Sequence, residues 1–276
     1  MKKIGFVDYY LGEWHANNYP EMFERLSESL GLEYTVAYAW AEVDVSPSNG
    51  VSTAEWCDIY GAEQCQTIEE LCEKSDFIVI LAPSNPEKHL EYAQKVFPYG
   101  KRTYIDKPFA PDSKTAQEIF ALGEKYGTEF FSSSALRYAT ELDATDAPNY
   151  MTTTGGGSNL PEYIIHQAEP IVKKLGCDIS SVSAAAHGDQ TIFTVNFASG
   201  KQAVMIYANP LPFTAYMSDG KGRETYKELN SPFFDGLISD MLGFFENGSV
   251  SFNAEETKAV INLIELSVSA ANALNN

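Results

Sequence analysis

Basic residues are scarce in this chain of 276 residues: 19 Lys and Arg stand against 38 Asp and Glu, a formal net charge of −19. An acid excess of that size repels phosphate backbones and anionic lipid headgroups, which excludes nucleic acid and membrane surfaces as partners. Long hydrophobic runs are also missing. The longest strongly apolar stretch, Phe77-Ile78-Val79-Ile80-Leu81-Ala82, falls far short of the ~20 residues that span a bilayer. The opening run Ile4-Gly5-Phe6-Val7 meets Asp8 too soon for a signal-peptide core, so the expectation is a cytoplasmic protein. Cysteine is sparse. Cys57, Cys65, Cys72 and Cys177 lack CxxC spacing and form no cluster with the four histidines, so they read as reduced structural thiols and no metal is expected.

What is present is enough apolar material for a real core, 44% AVILMFWYC against 21% charged residues. The length suits one large domain or two ordinary ones, and the pattern of elements favours two. In the first half, apolar segments over 3–8, 34–40, 77–82, 102–106 and 129–133 read as strands. Helices are expected from Pro20 to Leu30, from the Thr67–Glu70 capping box, from Asn85 towards Gly100, and over 113–126. Strands alternating with helices predict an α/β, Rossmann-like, doubly wound parallel sheet over residues 1–134. The second half, 135–276, reads as an α+β domain. The run Thr152-Thr153-Thr154-Gly155-Gly156-Gly157-Ser158 is expected to be a flexible loop, followed by a helix over 160–175. Five strand-like segments over 181–186, 191–198, 202–208, 213–218 and 223–228 predict an open antiparallel sheet, and helices over 233–246 and 254–274 close the chain.

In an open parallel sheet, ligands bind outside the carboxyl ends of the strands, where strand order reverses. Those ends carry Asp8, Tyr9 and Gly12 after the first strand, Trp40 and Glu42 after the second, Ala82 and Pro83 after the next, and Asp106-Lys107-Pro108 after the following one. A dinucleotide site needs glycines after the first strand so that backbone amides can approach a diphosphate. Here only Gly12 is suitably placed. Asp8 and Glu13 would set negative charge against the phosphates, and Tyr9 and Tyr10 would take up their space. Further on, Glu162 and His166 stand four residues apart, so both project from one helical face. His15, His89 and His187 read as a packing, a structural and an exposed histidine.

Several motifs, in order, resemble the Gfo/Idh/MocA oxidoreductases, the family of glucose–fructose oxidoreductase and inositol dehydrogenase. They are the apolar strand ending in Ala82-Pro83, then Gly100-Lys101 followed by Asp106-Lys107-Pro108, and Leu136-Arg137-Tyr138. Leu160 to Glu169, with its Glu162/His166 spacing, and the closing helix from Glu255 complete the set. The chain departs from the family in having Ala-Pro for Thr-Pro, Asp-Lys-Pro for Glu-Lys-Pro, and Glu162 for an Asp. The resemblance implies catalytic roles for Lys107 and His166. Lys107 would orient a hydroxyl and stabilise developing oxyanion, and His166 would serve as acid/base, a task suited to a group that titrates near neutrality. It further implies a carboxylate role for Glu162, substrate contact by Arg137, and cofactor contacts by Asp8, Tyr9, Gly12, Trp40, Ala82 and Pro83. NAD or NADP is the implied cofactor, NAD being favoured by Glu42, with a small polyol, sugar or cyclitol as substrate and a homo-oligomer as the assembly. The poor glycine turn supports a second reading: a relative with lost or altered dinucleotide binding, acting as a small-molecule binding or regulatory protein or as a redox-neutral acid/base catalyst. A third, a purely structural subunit, leaves the Lys107 and His166 motifs unexplained.

Overall fold

Residues 1–275 are described by a computed structural model, and they divide into two compact units. The first comprises Met1–Ser132 with Ile238–Ser251, the second Ser133–Leu237 with the described residues from Phe252 onward.

The first unit holds a six-stranded, all-parallel sheet in the order β3-β2-β1-β4-β5-β6. Its elements run β1 (Lys2–Asp8), α1 (Trp14–Ser29), β2 (Tyr34–Ala41), α2 (Thr53–Tyr60), β3 (Glu63–Gln64), α3 (Ile68–Lys74) and β4 (Phe77–Ile80). They continue with α4 (His89–Val96), β5 (Thr103–Ile105), α5 (Ser113–Tyr126) and β6 (Phe130–Phe131). This is the doubly wound arrangement expected of the first half, and strand order reverses between β1 and β4. The central strands are covered on both faces. Ile4, Phe6, Val7, Ile78, Val79 and Ile80 have no exposed surface, which accounts for their unbroken apolar sequence.

Three features of this unit depart from expectation. Helix α1 begins at Trp14, six residues ahead of Pro20, which sits inside it. The early start is made possible by Glu13, an uncommon N-cap residue whose carboxylate accepts from the first-turn amides. Helix α2 and the short β3 are additions. The capping box of Ser52 and Glu55 opens α2, and Gly61 in the left-handed region closes it. Residues 238–251, expected in the second half, belong to the first unit. Phe245 stacks on Phe77 at 4.7 Å between ring centroids, Lys2 Nζ and Tyr34 Oη each donate to Glu246 at 2.6 Å, and Arg102 Nη1 donates to the carbonyl of Phe245.

The second unit carries a six-stranded sheet in the order β12-β11-β7-β10-β9-β8, formed by β7 (Tyr150–Gly155), β8 (Ile179–His187), β9 (Gln190–Phe197), β10 (Gln202–Tyr207), β11 (Thr214–Ser218) and β12 (Glu224–Glu228). The sheet is mixed rather than antiparallel throughout, because β7 and β10 run parallel while the other pairs are antiparallel. Helices α6 (Leu160–Tyr163) and α7 (Ile165–Leu175) occupy the expected 160–175 span, with a one-residue break at Ile164. Helix α8 (Phe233–Asn247) passes into the first unit. In the second, α9 (Ala254–Asn272) is capped by the Asn253 side chain, which accepts from the amides of Glu255 and Glu256.

The Thr-Thr-Thr-Gly-Gly-Gly run is not a flexible loop. Its threonines and Gly155 form β7, near the middle of the sheet. The glycines are there for room. A Cβ on Gly156 would lie 2.0 Å from the carbonyl oxygen of Ala208, and one on Gly157 would lie 2.0 Å from the Tyr163 ring. Backbone, unlike a flexible side-chain tip, cannot yield cheaply. Gly156→Ala is therefore expected to destabilise the protein by about 1–3 kcal/mol in urea unfolding. Gly243, inside α8, has nothing within 4 Å of its Cβ position, so Gly243→Ala is expected to stabilise by about 0.5–1 kcal/mol. Equal responses of the two sites would refute the packing account.

Candidate functional site

In the first unit, the residues flagged by the sequence gather at the carboxyl ends of β1, β4 and β5. Asp8 ends β1 and is 1% exposed. Its Oδ1 accepts from the amide of Tyr9 at 2.7 Å and from the amide of Ala82 at 2.9 Å, stitching β1 to the segment after β4 where strand order reverses. Ala82 adopts φ 67°, a left-handed conformation that a residue with a Cβ rarely takes. Among the described residues, Asp8 Oδ2 is the buried side-chain polar atom with no hydrogen-bond partner. Burial, and then the charge of Glu13, push the Asp8 carboxyl well above the ordinary carboxylate range.

Glu13 sits where α1 begins. Its carboxylate accepts from the amide of His15 at 2.8 Å and from the amide of Ala16. These are two of the first-turn donors that a helix leaves unpaired, and they carry the positive end of its dipole. Gly12, at φ 86°, has its carbonyl held by Asn49 Nδ2 at 2.8 Å and by Ser48 Oγ. Burial raises the Glu13 carboxyl too, although the hydrogen bonds from Ala16 and His15 oppose the shift. The His15 ring stacks on Tyr19, 5.1 Å between centroids, and its Nδ1 pairs with Asp106 Oδ2. Burial alone would raise the Asp106 carboxyl, but His15 and Lys107 outweigh it and hold it below its usual range. Lys107 follows at the end of β5, buried, its amide donating to Asp106 Oδ1 at 2.8 Å.

The outer cofactor candidates are engaged as well. Trp40 meets Tyr92 edge to face at 5.8 Å, and the Lys88 ammonium lies 5.6 Å from the centre of the Tyr9 ring. Glu42 accepts from Lys88 Nζ at 2.6 Å and from Tyr92 Oη at 2.8 Å. Pro83 is buried, and His89 next to it is structural, its ring nitrogens facing the carbonyls of Phe109 and Leu81. As it stands, the turn after β1 does not fit a dinucleotide diphosphate. A carboxylate holds the amides that would receive it, and a second buried carboxyl lies beside that one.

In the second unit, His166 lies on α7 with its Nδ1 2.8 Å from Ser134 Oγ and its ring packed edge-on against Tyr163 and Phe213. Ser134 is in turn fixed by Glu169, whose Oε1 accepts its amide at 3.1 Å. Sequence reasoning missed Ser134. Its signal was the run Ser132-Ser133-Ser134 just before Leu136-Arg137-Tyr138. Glu162 takes part in a cap: its amide donates to Asn159 Oδ1 at 3.0 Å, and its carboxylate accepts from Asn159 Nδ2 at 2.9 Å.

Arg137, expected to contact substrate, is 4% exposed and pairs with carboxylates of its own chain. Its Nη1 donates to Glu169 at 3.1 Å, its Nη2 pairs with Glu256, and its guanidinium lies 3.9 Å from the centre of the Phe252 ring. Removing one partner of such a pair strands a buried charge. Cys57, Cys65 and Cys72 are buried, and burial pushes Cys72 up to about 12, so these thiols stay protonated. Among the described residues no three His, Cys, Asp or Glu side chains could hold a metal ion, and no helix is long and apolar enough to cross a membrane.

Comparison with known proteins agrees with this fold. Residues 10–133 match the family model described as an oxidoreductase family with an NAD-binding Rossmann fold. The match begins after Asp8 and Tyr9, beyond the first part of the atypical turn. The oxidoreductase YhhX of Escherichia coli K12 is 30% identical over 60 residues, which are 22% of this chain and 17% of that protein. Among solved structures, UDP-N-acetylglucosamine 3-dehydrogenase of Acidithiobacillus ferrooxidans superposes with a TM-score of 0.79 at 13% identity over 99% of both chains. An oxidoreductase of Thermotoga maritima gives 0.76 at 15%, covering 98% of this chain and 96% of its own. Biliverdin reductase of Synechocystis gives 0.68 at 15% over 98% of both. At such identities these likenesses show the fold.

The raised Asp8 carboxyl carries a pH consequence. The folded protein keeps a proton there that the unfolded chain releases above its ordinary value of 3.8, so this group's contribution to stability falls as pH rises through that range. Asn at this position retains the acceptor for Tyr9 and Ala82 and has no charge to desolvate. Asp8→Asn is expected to be more stable than wild type in urea at about pH 8, with the gain shrinking towards about pH 4. A variant that loses stability more at high pH than at low would contradict the assignment.

Proposed function

We propose that the chain, whose residues 10–133 match the Gfo/Idh/MocA oxidoreductase family model, oxidises a hydroxyl, or reduces the corresponding carbonyl, of a sugar, cyclitol or related small polyol. The observation that carries this reading is the His166 imidazole, held at Nδ1 by Ser134 Oγ and braced by Tyr163 and Phe213. A histidine oriented in this way has one ring nitrogen committed, which fixes the direction in which the other can exchange a proton. His166 takes the proton from the substrate hydroxyl in oxidation and returns it in reduction. Lys107, after the end of β5 in the first unit, is the proposed donor to a substrate oxygen that gains negative charge. Ser134 is a positioning residue that acts through His166. Glu162 orients substrate from the capped start of α6.

The redox partner is a nicotinamide dinucleotide, in keeping with the family's NAD-binding Rossmann fold. NAD is preferred to NADP because Glu42 stands at the end of β2, where a second phosphate would meet a carboxylate. One observation favours a second reading: Glu13 on the first turn of α1 suits a protein that performs redox-neutral acid/base chemistry or only binds small molecules. Fluorescence titration separates the two. Saturable binding of NADH or NADPH is expected below millimolar concentration, and its absence throughout that range would favour the second reading.

Where turnover is measurable, Lys107→Ala and His166→Ala are expected to lower kcat by about 10²–10⁴-fold with dinucleotide affinity nearly unchanged. Ser134→Ala is expected to lower kcat by about tenfold and to move the pH profile, with Ser134→Thr restoring both. Loss of dinucleotide binding in parallel with kcat would refute these roles.

A further inference from the structure

We propose that Glu13 is a built-in competitor for the diphosphate seat of the first unit, so that a dinucleotide binds only when this side chain leaves the amides of His15 and Ala16. The inference rests on the oxidoreductase reading and adds to it a residue that sets cofactor affinity.

Three observations carry it. The amides at the start of α1, following the central strand β1, are the donors that receive a diphosphate in a doubly wound sheet. In this chain the Glu13 carboxylate already accepts from two of them. An anion arriving from solvent must break both bonds and replace one negative group by another. Secondly, the ground beside Glu13 is itself acidic. Asp8 on β1 and Asp106 just after β5 lie close enough to influence Glu13 or each other, with His15 on α1 as the nearby partner of Asp106. Asp8 Oδ2 is buried there without a hydrogen-bond partner. Thirdly, the turn is held in place from its other side. Asn49 and Ser48 grip the Gly12 carbonyl, and Asp8 Oδ1 ties Tyr9 to Ala82. The backbone of the turn is thereby fixed while the Glu13 carboxylate occupies its amides. A helix with no ligand role could be capped by Ser, Thr, Asp or Asn. Glu is a poor choice for capping but has the reach to lie over the first turn.

The charge on residue 13 can be separated from its capping role. Ser and Asp are both good N-cap residues, so α1 keeps its cap in Glu13→Ser and in Glu13→Asp, while only the first removes the negative charge. NADH affinity is measured by fluorescence titration for wild type and both variants of the full chain. Glu13→Ser is expected to bind NADH about tenfold more tightly than wild type, or better, while Glu13→Asp stays within about threefold of wild type. Equal affinity in wild type and Glu13→Ser would overturn the competitor role and leave the oxidoreductase reading standing. Equal gains in Ser and Asp would overturn it as well, since side-chain reach rather than charge would be responsible. No saturable binding in any of the three would overturn both, because the obstacle would then not be the charge at residue 13.

Discussion

The carboxylate of Glu13 on the amides of His15 and Ala16 is the contact that organises the carboxyl edge of the parallel sheet. It lets α1 begin at Trp14, well ahead of Pro20, which brings His15 into the first turn. From there the His15 ring stacks on Tyr19 and pairs with Asp106, and Asp106 accepts the amide of Lys107. One cap thus leads through a histidine and an aspartate to the lysine that carries the proposed chemistry. The same carboxylate raises the cost of ionising Asp8, which bridges β1 to Ala82 across the reversal of strand order. Stability and ligand affinity therefore pull against each other at one side chain.

This differs from the usual logic of a nucleotide-binding Rossmann domain, in which glycines leave the first-turn donors open. Here the chain supplies the anion itself. An internal anion is always present at high effective concentration and needs no ordering from solvent, so it competes well with a mobile ligand. A dinucleotide nonetheless gains many contacts beyond the diphosphate, and a single displaced carboxylate reduces its affinity without abolishing it. The family match over residues 10–133 and the closed first turn are thus compatible.

The layout of the first unit was legible because its strands are buried on both faces and read as unbroken apolar runs, with Gly127 and the Thr67 cap marking helix limits. Lys107 and His166 were proposed from their motifs. What escaped was chemistry done by unexpected residue types. Glu13 is a rare N-cap, so the start of α1 was placed too late. Gly155, Gly156 and Gly157 looked like a flexible linker because a sequence shows missing side chains but not the carbonyl of Ala208 or the ring of Tyr163 packed against them. The parallel pairing of β7 with β10 joins segments about fifty residues apart and leaves no mark in local alternation. The ion pairs of Arg137 were not legible because its two partners, Glu169 and Glu256, lie 32 and 119 residues away. Ser134 escaped for the same reason: a hydroxyl on an irregular segment acquires its role only from the histidine folded against it.

The most direct test of the central claim is a crystal structure of the protein saturated with NADH. The expected result is a diphosphate on the amides of His15 and Ala16, with the Glu13 side chain rotated away from them. NADH bound while Glu13 still holds both amides would contradict the account.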